Sequence, residues 1–242
     1  MGFKTYFLEK FEDEIKSGAI KSICDFGCGE SLNFIPLLRK YPNLIYVGIE
    51  PSPQAEMARK NLAEFKNAKI FRANGYSCPE GAEEWWGKFD LVISFSVLEH
   101  VKQLERFLKS SIEAARVGGQ IVHRWDLGHA LLPSSLKERF QVWLGDNLPS
   151  ILPEHKFVCY LGPQTVLDIM EKYGFDKNKV TYHQMIGHKK LAQELDLNIK
   201  KNEDLINEIA EWEFKISESL EKIPERKRLK LFPAVALWGK KI

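Results

Sequence analysis

Long apolar runs, runs of basic residues and closely spaced cysteines are all scarce in this chain of 242 residues. No apolar run approaches the roughly 20 residues that a membrane-spanning helix needs, so we expect no membrane span. Lys and Arg total 35 against 33 Asp and Glu, which leaves a net charge of +2. A near-neutral chain without a basic block attracts a phosphate backbone weakly, so nucleic acid is an unfavoured partner.

The four cysteines also lack the paired spacing of a structural metal site. Cys24 falls in a predicted strand and Cys28 in the turn after it, so we expect a core thiol and a loop thiol. Free thiols and the lack of a signal-peptide pattern favour a reducing compartment. We therefore expect a cytoplasmic protein.

Apolar runs alternate with segments of helical periodicity through the first half of the chain. This alternation is typical of βαβ units around a parallel sheet. We therefore predict an α/β fold with a doubly wound sheet. The predicted strands cover residues 22–25, 44–49, 68–73, 89–95, 120–125, 180–186 and 233–239.

The first strand leads into a glycine turn, Asp25-Phe26-Gly27-Cys28-Gly29, where open α/β sheets bind their ligands. Glycines let the backbone approach a ligand without a Cβ clash, and the next helix offers N–H groups to an anion. A dinucleotide fingerprint would need Gly or Ala where Leu32 stands. Asp25 instead suits a positively charged amino group, and Glu50, at the end of the second strand, suits the two hydroxyls of a ribose. S-adenosylmethionine carries an ammonium, a carboxylate, a ribose and an adenine.

Three further blocks follow this turn: Tyr46-Val47-Gly48-Ile49-Glu50, residues 89–94 with Val97-Leu98-Glu99-His100-Val101, and residues 117–122. With the glycine turn, they stand in the order and spacing of the class I S-adenosylmethionine-dependent methyltransferases, which the chain resembles. That broad family includes ubiquinone-type and surface-polysaccharide methyltransferases. The resemblance covers residues 21–125, about half of the chain.

The resemblance implies a seven-stranded, mostly parallel sheet in the order 3-2-1-4-5-7-6, with an antiparallel last strand at residues 234–238. It also implies S-adenosylmethionine as the cofactor. By this resemblance, Asp25, Gly27 and Gly29 would contact the methionine end of the cofactor, and Glu50 would bind the ribose. Asn74 would contact the adenine edge. Ser94 and Phe95 would form the floor beside the methyl group. Cys28, Pro51 and Gly75 complete the implied cofactor-binding set. The family often has Asp at position 74, and Asn can donate as well as accept, so the role of Asn74 stays open.

One methyltransferase domain is predicted to span residues 1–242. Its parts are an N-terminal helix (1–18), a cofactor-binding core (19–125), a cap insertion (126–163) and a C-terminal part that completes the sheet (164–242). The cap is too long for an ordinary loop. A helical insertion is predicted within the C-terminal part, at residues 189–222.

Methyl transfer from a sulfonium is an in-line displacement, and it needs a base when the acceptor is a hydroxyl. The candidate catalytic residues are His100, after the fourth strand, and His123, Asp126 and His129, around the end of the fifth. A structural role is the alternative for each of them. Some ubiquinone-type relatives hold a divalent metal with a Glu-x-x-Glu-His array, but Ser96 stands at the first acidic position here, so we predict no metal site.

The methyl acceptor is expected to contact the cap and the helical insertion. The run after the fifth strand loosely resembles surface-polysaccharide methyltransferases, which favours O-methylation of a sugar or another small hydroxylated metabolite. An anionic group on the acceptor would meet Arg124, Lys137, Arg139 or Lys156. N-methylation, a nucleic-acid or protein acceptor, a non-catalytic cofactor-binding module and a homodimeric assembly remain open alternatives.

Overall fold

The strands of the sheet are β1 Ser22–Phe26, β2 Ile45–Ile49, β3 Ala68–Phe71, β4 Phe89–Phe95, β5 Ala115–Asp126, β6 Phe175–His183 and β7 Ala234–Lys241. The structure is a computed structural model, which describes residues 3–132, 135–152, 156–186, 194 and 203–242. The strand order is 3-2-1-4-5-7-6, so the predicted order is confirmed. Strands β1 to β5 pair in parallel, and β7 is antiparallel to both β5 and β6.

The N-terminal segment forms two short helices, α1 Phe3–Glu9 and α2 Glu12–Lys16, where the sequence predicts one helix over residues 1–18. The second helix opens with three acidic residues, Glu12, Asp13 and Glu14. Negative charge is favourable at the positive end of a helix dipole, so this acidic run favours a new helix start at Glu12.

The remaining helices lie on both sides of the sheet or in its connections. They are α3 Ile35–Lys40, α4 Gln54–Asn61, α5 Leu104–Ala114, α6 Gly128–Leu131, α7 Leu136–Asn147, α8 Pro163–Lys172, α9 Glu203–Leu220 and α10 Glu225–Leu231. The predicted insertion at 189–222 is represented by α9, and residues 187–193 and 195–202 lie outside the described part of the chain. Among the helices of the described residues, none is long and apolar enough to cross a membrane.

Two apolar cores cover the two faces of the sheet. On one face, Phe26 packs edge-on against Phe107 of α5, with 5.3 Å between the ring centroids. On the other face, Phe7 of α1 stacks on Trp238 of β7 at 5.2 Å and meets Phe95 of β4 at 5.5 Å. The N-terminal helix is therefore fixed over the carboxyl end of β4.

Strand β5 begins at Ala115, five residues before the predicted start at Gln120. Ala115 pairs with Phe89, and the register then shifts before Leu91 pairs with Gln120. Gly118 takes a positive φ of 73°, and a Cβ on Gly119 would lie 2.7 Å from the carbonyl oxygen of Phe89. The two glycines therefore form an irregularity within β5. The sequence had instead suggested that they end the preceding helix before the strand begins.

The predicted cap, residues 126–163, is tied to the turn that follows β4. The Cys159 N–H donates to the Glu99 carbonyl oxygen at 3.1 Å. The Trp125 indole N–H donates to the Leu161 carbonyl oxygen at 2.9 Å, which fixes the return of the cap on the core. Helix α7 keeps Phe140 and Trp143 exposed and stacked on each other.

Candidate functional site

The glycine turn follows β1 and is hydrogen-bonded to the end of the neighbouring strand β2. The N–H groups of Gly27 and Cys28 both donate to the carbonyl oxygen of Ile49, at 2.7 and 3.2 Å. Gly27 and Gly29 have φ values of 74° and 58°, in the region where a side chain is strained. The turn therefore takes the conformation that its glycines permit, at the edge of the sheet where ligands bind.

The Glu50 carboxylate holds this turn from the end of β2. One oxygen accepts from the Gly29 N–H and the other from the Ser52 N–H, each at 3.0 Å. Glu50 is 7% exposed, and Pro51, which follows it, is exposed. A carboxylate offers about four acceptor positions, so two remain for ligand hydroxyls.

Asp25 lies at the end of β1 in a buried hydrogen-bonded chain. The Tyr46 hydroxyl donates to Asp25 Oδ2 at 3.1 Å, and Ser31 Oγ lies 3.0 Å from the same hydroxyl. Burial, then the neighbouring Asp25 carboxylate, raises the pKa of Tyr46, so the phenol keeps its proton and donates. Tyr46 thus orients the carboxylate of Asp25.

The other predicted cofactor residues lie around the same edge. Asn74 is exposed, and its side-chain oxygen accepts from the Tyr76 N–H at 3.1 Å, so its NH₂ group faces outward as a donor. Gly75 is buried with φ 72°. The side chains of Ser94 and Phe95 are buried and leave opposite faces of β4. Cys28 is also buried, and burial raises the pKa of its thiol to about 12.

Three of the four predicted acid–base side chains are described, and they have different surroundings. His100 is exposed, and its Nδ1 lies 2.9 Å from the carbonyl oxygen of Phe157. A carbonyl only accepts, so Nδ1 carries the proton and Nε2 is the basic nitrogen of the neutral ring. Asp126 is half-buried, and its Oδ1 accepts from the Gly128 N–H at 2.7 Å. His129 falls in α6, and its side chain lies outside the described part.

His123 is fully buried on the α5 face of the sheet. Ser111 donates its hydroxyl hydrogen to the Leu108 carbonyl oxygen, so Ser111 Oγ accepts from His123 Nε2–H at 2.9 Å. Nδ1 then accepts from the Ser94 hydroxyl at 2.7 Å. Both ring nitrogens are occupied, and burial lowers the pKa of His123 to about 3. This geometry favours a structural role for His123 over a role as the catalytic base.

A neutral, buried His123 predicts a pH dependence of folding. In the unfolded chain His123 titrates near 6.5, and in the folded chain near 3, so only the unfolded chain binds this proton between those values. The folded state is therefore destabilised as pH falls below 6.5. We expect the stability advantage of the wild type over His123→Gln to shrink by about 1–2 kcal/mol between pH 7 and pH 5, measured by urea unfolding. A difference that does not change with pH would show that His123 is not held neutral.

A second group of polar side chains gathers at the end of β5, on the face opposite His123. We call Arg124, Glu99, Asp126, His183 and Glu213 the β5-end cluster. Arg124 is 3% exposed, and burial lowers the pKa of its guanidinium, although the carboxyl groups of Asp126, Glu99 and Glu213 oppose this shift. The Glu99 Oε1 accepts from the Asp126 N–H at 3.1 Å. Glu213 Oε2 lies 3.6 Å from His183 Nδ1.

Sequence reasoning missed most of this cluster. It selected Asp126, and it treated Arg124 as one of several basic residues that face an anion. The signal that was present is the alternation along β5, which puts Arg124 on the opposite face from His123 and Trp125. His183 and Glu213 come from β6 and α9, so no local pattern connects them to Arg124. Within the described residues, no set of three His, Cys, Asp or Glu side chains is arranged to hold a metal ion.

A family model described as "Methyltransferase domain" matches residues 4–180, most of the chain. The chain belongs to the class I S-adenosylmethionine-dependent methyltransferases. The family assignment made from the four sequence blocks is confirmed, and with it the enzyme class and S-adenosylmethionine as the cofactor.

Relatives of this methyltransferase are about a quarter identical to it over the aligned residues. It is 26% identical to "Ubiquinone biosynthesis O-methyltransferase, mitochondrial" of Homo sapiens, over 73% of this chain and 48% of that protein, so it spans about half of the human relative. It is 24% identical to "Ubiquinone biosynthesis O-methyltransferase" of Pseudomonas aeruginosa (strain UCBPP-PA14), over 77% of this chain and 79% of that protein. A crystal structure of a SAM dependent methyltransferase from Archaeoglobus fulgidus shares the fold, with a TM-score of 0.57, 17% identity, and coverage of 99% and 93%.

Proposed function

We propose that this methyltransferase transfers the methyl group of S-adenosylmethionine to a hydroxyl oxygen of a small acceptor, a sugar or another hydroxylated metabolite. The relatives at 26% and 24% identity carry O-methyltransferase names, which supports oxygen as the methylated atom. A role in surface-glycan synthesis rests on the loose sequence resemblance after β5 and remains part of the proposal.

The cofactor is proposed to lie across the carboxyl ends of β1, β2 and β4. The ammonium of its methionine end binds near Asp25, whose carboxylate Tyr46 orients. The two ribose hydroxyls donate to the acceptor positions of Glu50 that Gly29 and Ser52 leave unused. The outward NH₂ group of Asn74 is a donor, and the ring nitrogens of adenine accept, so Asn is compatible with the adenine edge at this position.

The observation that carries the hydroxyl chemistry is the fixed tautomer of His100. Its Nδ1–H donates to the Phe157 carbonyl oxygen, so Nε2 is the nitrogen of the neutral ring that can accept a proton. His100 lies in the turn that follows β4 and is exposed, whereas His123 is enclosed in the core. We therefore assign His100 as the base that removes the proton of the acceptor hydroxyl as the oxygen attacks the methyl carbon.

The experiment is methyl transfer from radiolabelled S-adenosylmethionine to a panel of acceptors: catechol, methyl glucopyranoside, a primary amine and RNA. We expect label on a hydroxylated small molecule, and about 100-fold or greater loss of kcat in His100→Gln with unchanged binding of S-adenosylhomocysteine. Gln keeps a polar group near Phe157 but cannot act as a base. Label on the amine or RNA, or full turnover by His100→Gln, would contradict the proposal.

A further inference from the structure

Besides Nδ1 of His183, two buried polar atoms of the β5-end cluster have no hydrogen-bond partner among the described residues. They are Nε of Arg124 and Oε2 of Glu99, whose side chains are 3% and 1% exposed. Unpaired polar atoms at this depth destabilise a fold, and they are uncommon in native proteins. The two atoms are complementary in kind, because Nε–H is a donor and a carboxylate oxygen is an acceptor.

The rest of the Arg124 guanidinium is already engaged. Its Nη1 donates to Ser96 Oγ at 3.2 Å. The Gln184 side-chain amide bridges Asp126 and Arg124. Its nitrogen donates to Asp126 Oδ2 at 2.9 Å, and its oxygen accepts from Arg124 Nη2. Of the three guanidinium nitrogens, only Nε has no partner among the described residues, and the contacts of the other two hold Arg124 in one orientation.

The charges around Arg124 disfavour an anionic ligand. Asp126, Glu99 and Glu213 all act on the guanidinium, so three carboxyl groups surround one positive charge. We therefore infer that an uncharged group of the acceptor suits Arg124 better than an anionic one. Lys179 of β6 lies over the rings of Phe214 and Trp238.

A hydroxyl group matches the two unpaired atoms in either charge state of Glu99. Burial is the largest of the causes that raise the pKa of Glu99, so a ligand meets this carboxyl group either neutral or ionised. A hydroxyl oxygen accepts from Arg124 Nε–H in both cases. Its hydrogen donates to an ionised Glu99, and its second lone pair accepts from a neutral one.

We propose that Arg124 and Glu99 form a subsite that binds an uncharged hydroxyl group of the methyl acceptor. This inference rests on the proposed function and narrows its acceptor class to uncharged hydroxylated molecules, whether the hydroxyl belongs to an aromatic ring or to a sugar. The subsite lies at the carboxyl end of β5, next to β4 in the sheet. Phe7, whose ring centroid is 6.0 Å from the guanidinium carbon of Arg124, provides an apolar wall beside it.

The test uses the wild-type chain saturated with S-adenosylhomocysteine and follows arginine Nε–H signals by NMR. The Arg124 signal is identified as the one missing in Arg124→Lys. The probes are catechol for an aromatic hydroxyl, methyl glucopyranoside for a sugar hydroxyl, and benzoate for an anion. We expect catechol or the glucopyranoside to shift the Arg124 signal, and benzoate to leave it in place.

The paired variants measure binding of the same probes. Lys keeps the charge of Arg but loses its Nε–H, so Arg124→Lys should weaken binding of the neutral probe about tenfold or more. The matched control is Arg116→Lys, because Arg116 lies on the same strand and pairs with Asp90 at 2.6 Å, far along β5 from the subsite. That control should bind the probe like the wild type.

Three results would overturn the subsite: a signal that neither neutral probe moves, a signal that benzoate moves more than the neutral probes, or equal binding by Arg124→Lys and Arg116→Lys. If Arg124→Lys does not fold, the Arg124 signal is assigned by triple-resonance spectra of the wild type instead, and its response to the probes still decides the matter. Failure of the proposed function would look different, because the probe would bind and shift the Arg124 signal without receiving a methyl group from S-adenosylmethionine.

Discussion

Replacement of Glu50 by alanine is expected to weaken binding of S-adenosylhomocysteine by about 10- to 100-fold. The Glu50 carboxylate accepts the N–H groups of Gly29 and Ser52, so its loss leaves two backbone donors unpaired in the cofactor turn. It also removes the acceptor that we propose for the ribose hydroxyls. Isothermal titration calorimetry measures the dissociation constant directly.

The matched control for Glu50 is Glu56→Ala. Glu56 lies in the first turn of α4, is about half exposed, and pairs with Arg59 at 2.6 Å on the surface. It has the same side chain a few residues along the chain, and a surface pair of this kind contributes little to stability. We expect Glu56→Ala to bind S-adenosylhomocysteine like the wild type. Equal affinities for the Glu50 and Glu56 variants would remove Glu50 from the cofactor site.

Gly27→Ala is expected to lower the free energy of unfolding by about 2–4 kcal/mol and to abolish cofactor binding. Gly27 has φ 74°, which strains any other residue, and an added Cβ would lie 2.3 Å from Cγ2 of Val97. Because Val97 belongs to the turn after β4, relief of this clash would move two sides of the cofactor crevice apart. Urea unfolding and calorimetry measure the two effects.

Gly18→Ala separates backbone strain from the steric clash. Gly18 has nearly the same φ, 77°, but the nearest atom to an added Cβ would be Cε of Lys21 at 3.7 Å, an ordinary contact. This variant should lose about 1–2 kcal/mol of stability from the backbone alone and should retain cofactor binding. If Gly27→Ala were no worse than Gly18→Ala, the close approach of the glycine turn to Val97 would not matter for the site.

The cofactor-binding residues could be predicted from the sequence because they fall in short stretches at the ends of predicted strands. Asp25 and the two glycines lie at or just after the end of β1, Glu50 lies just after β2, and in a parallel sheet those ends meet at one edge. Apolar alternation with helices was enough to expect such a sheet, although the strand order came from the family resemblance. The turn, its backbone hydrogen bonds to Ile49 and the carboxylate that holds it agree with that expectation.

The residues of the proposed acceptor site could not be predicted from the sequence in the same way. The alternation of β5 separates His123 from Arg124, but the sequence does not say which face looks toward the site. The answer depends on Phe7 of α1 and Glu213 of α9, which reach Arg124 from opposite ends of the chain. The role of His123 also depended on Ser94 and Ser111, whose hydroxyls occupy its ring only after β4 and α5 have packed.

The most direct test of the cofactor site is a crystal structure of the chain with S-adenosylhomocysteine. We predict that both ribose hydroxyls lie within about 3 Å of the Glu50 carboxylate, and that the ammonium lies on the Asp25 side of the glycine turn. Ligand density at another edge of the sheet, or a ribose that makes no contact with Glu50, would contradict this account.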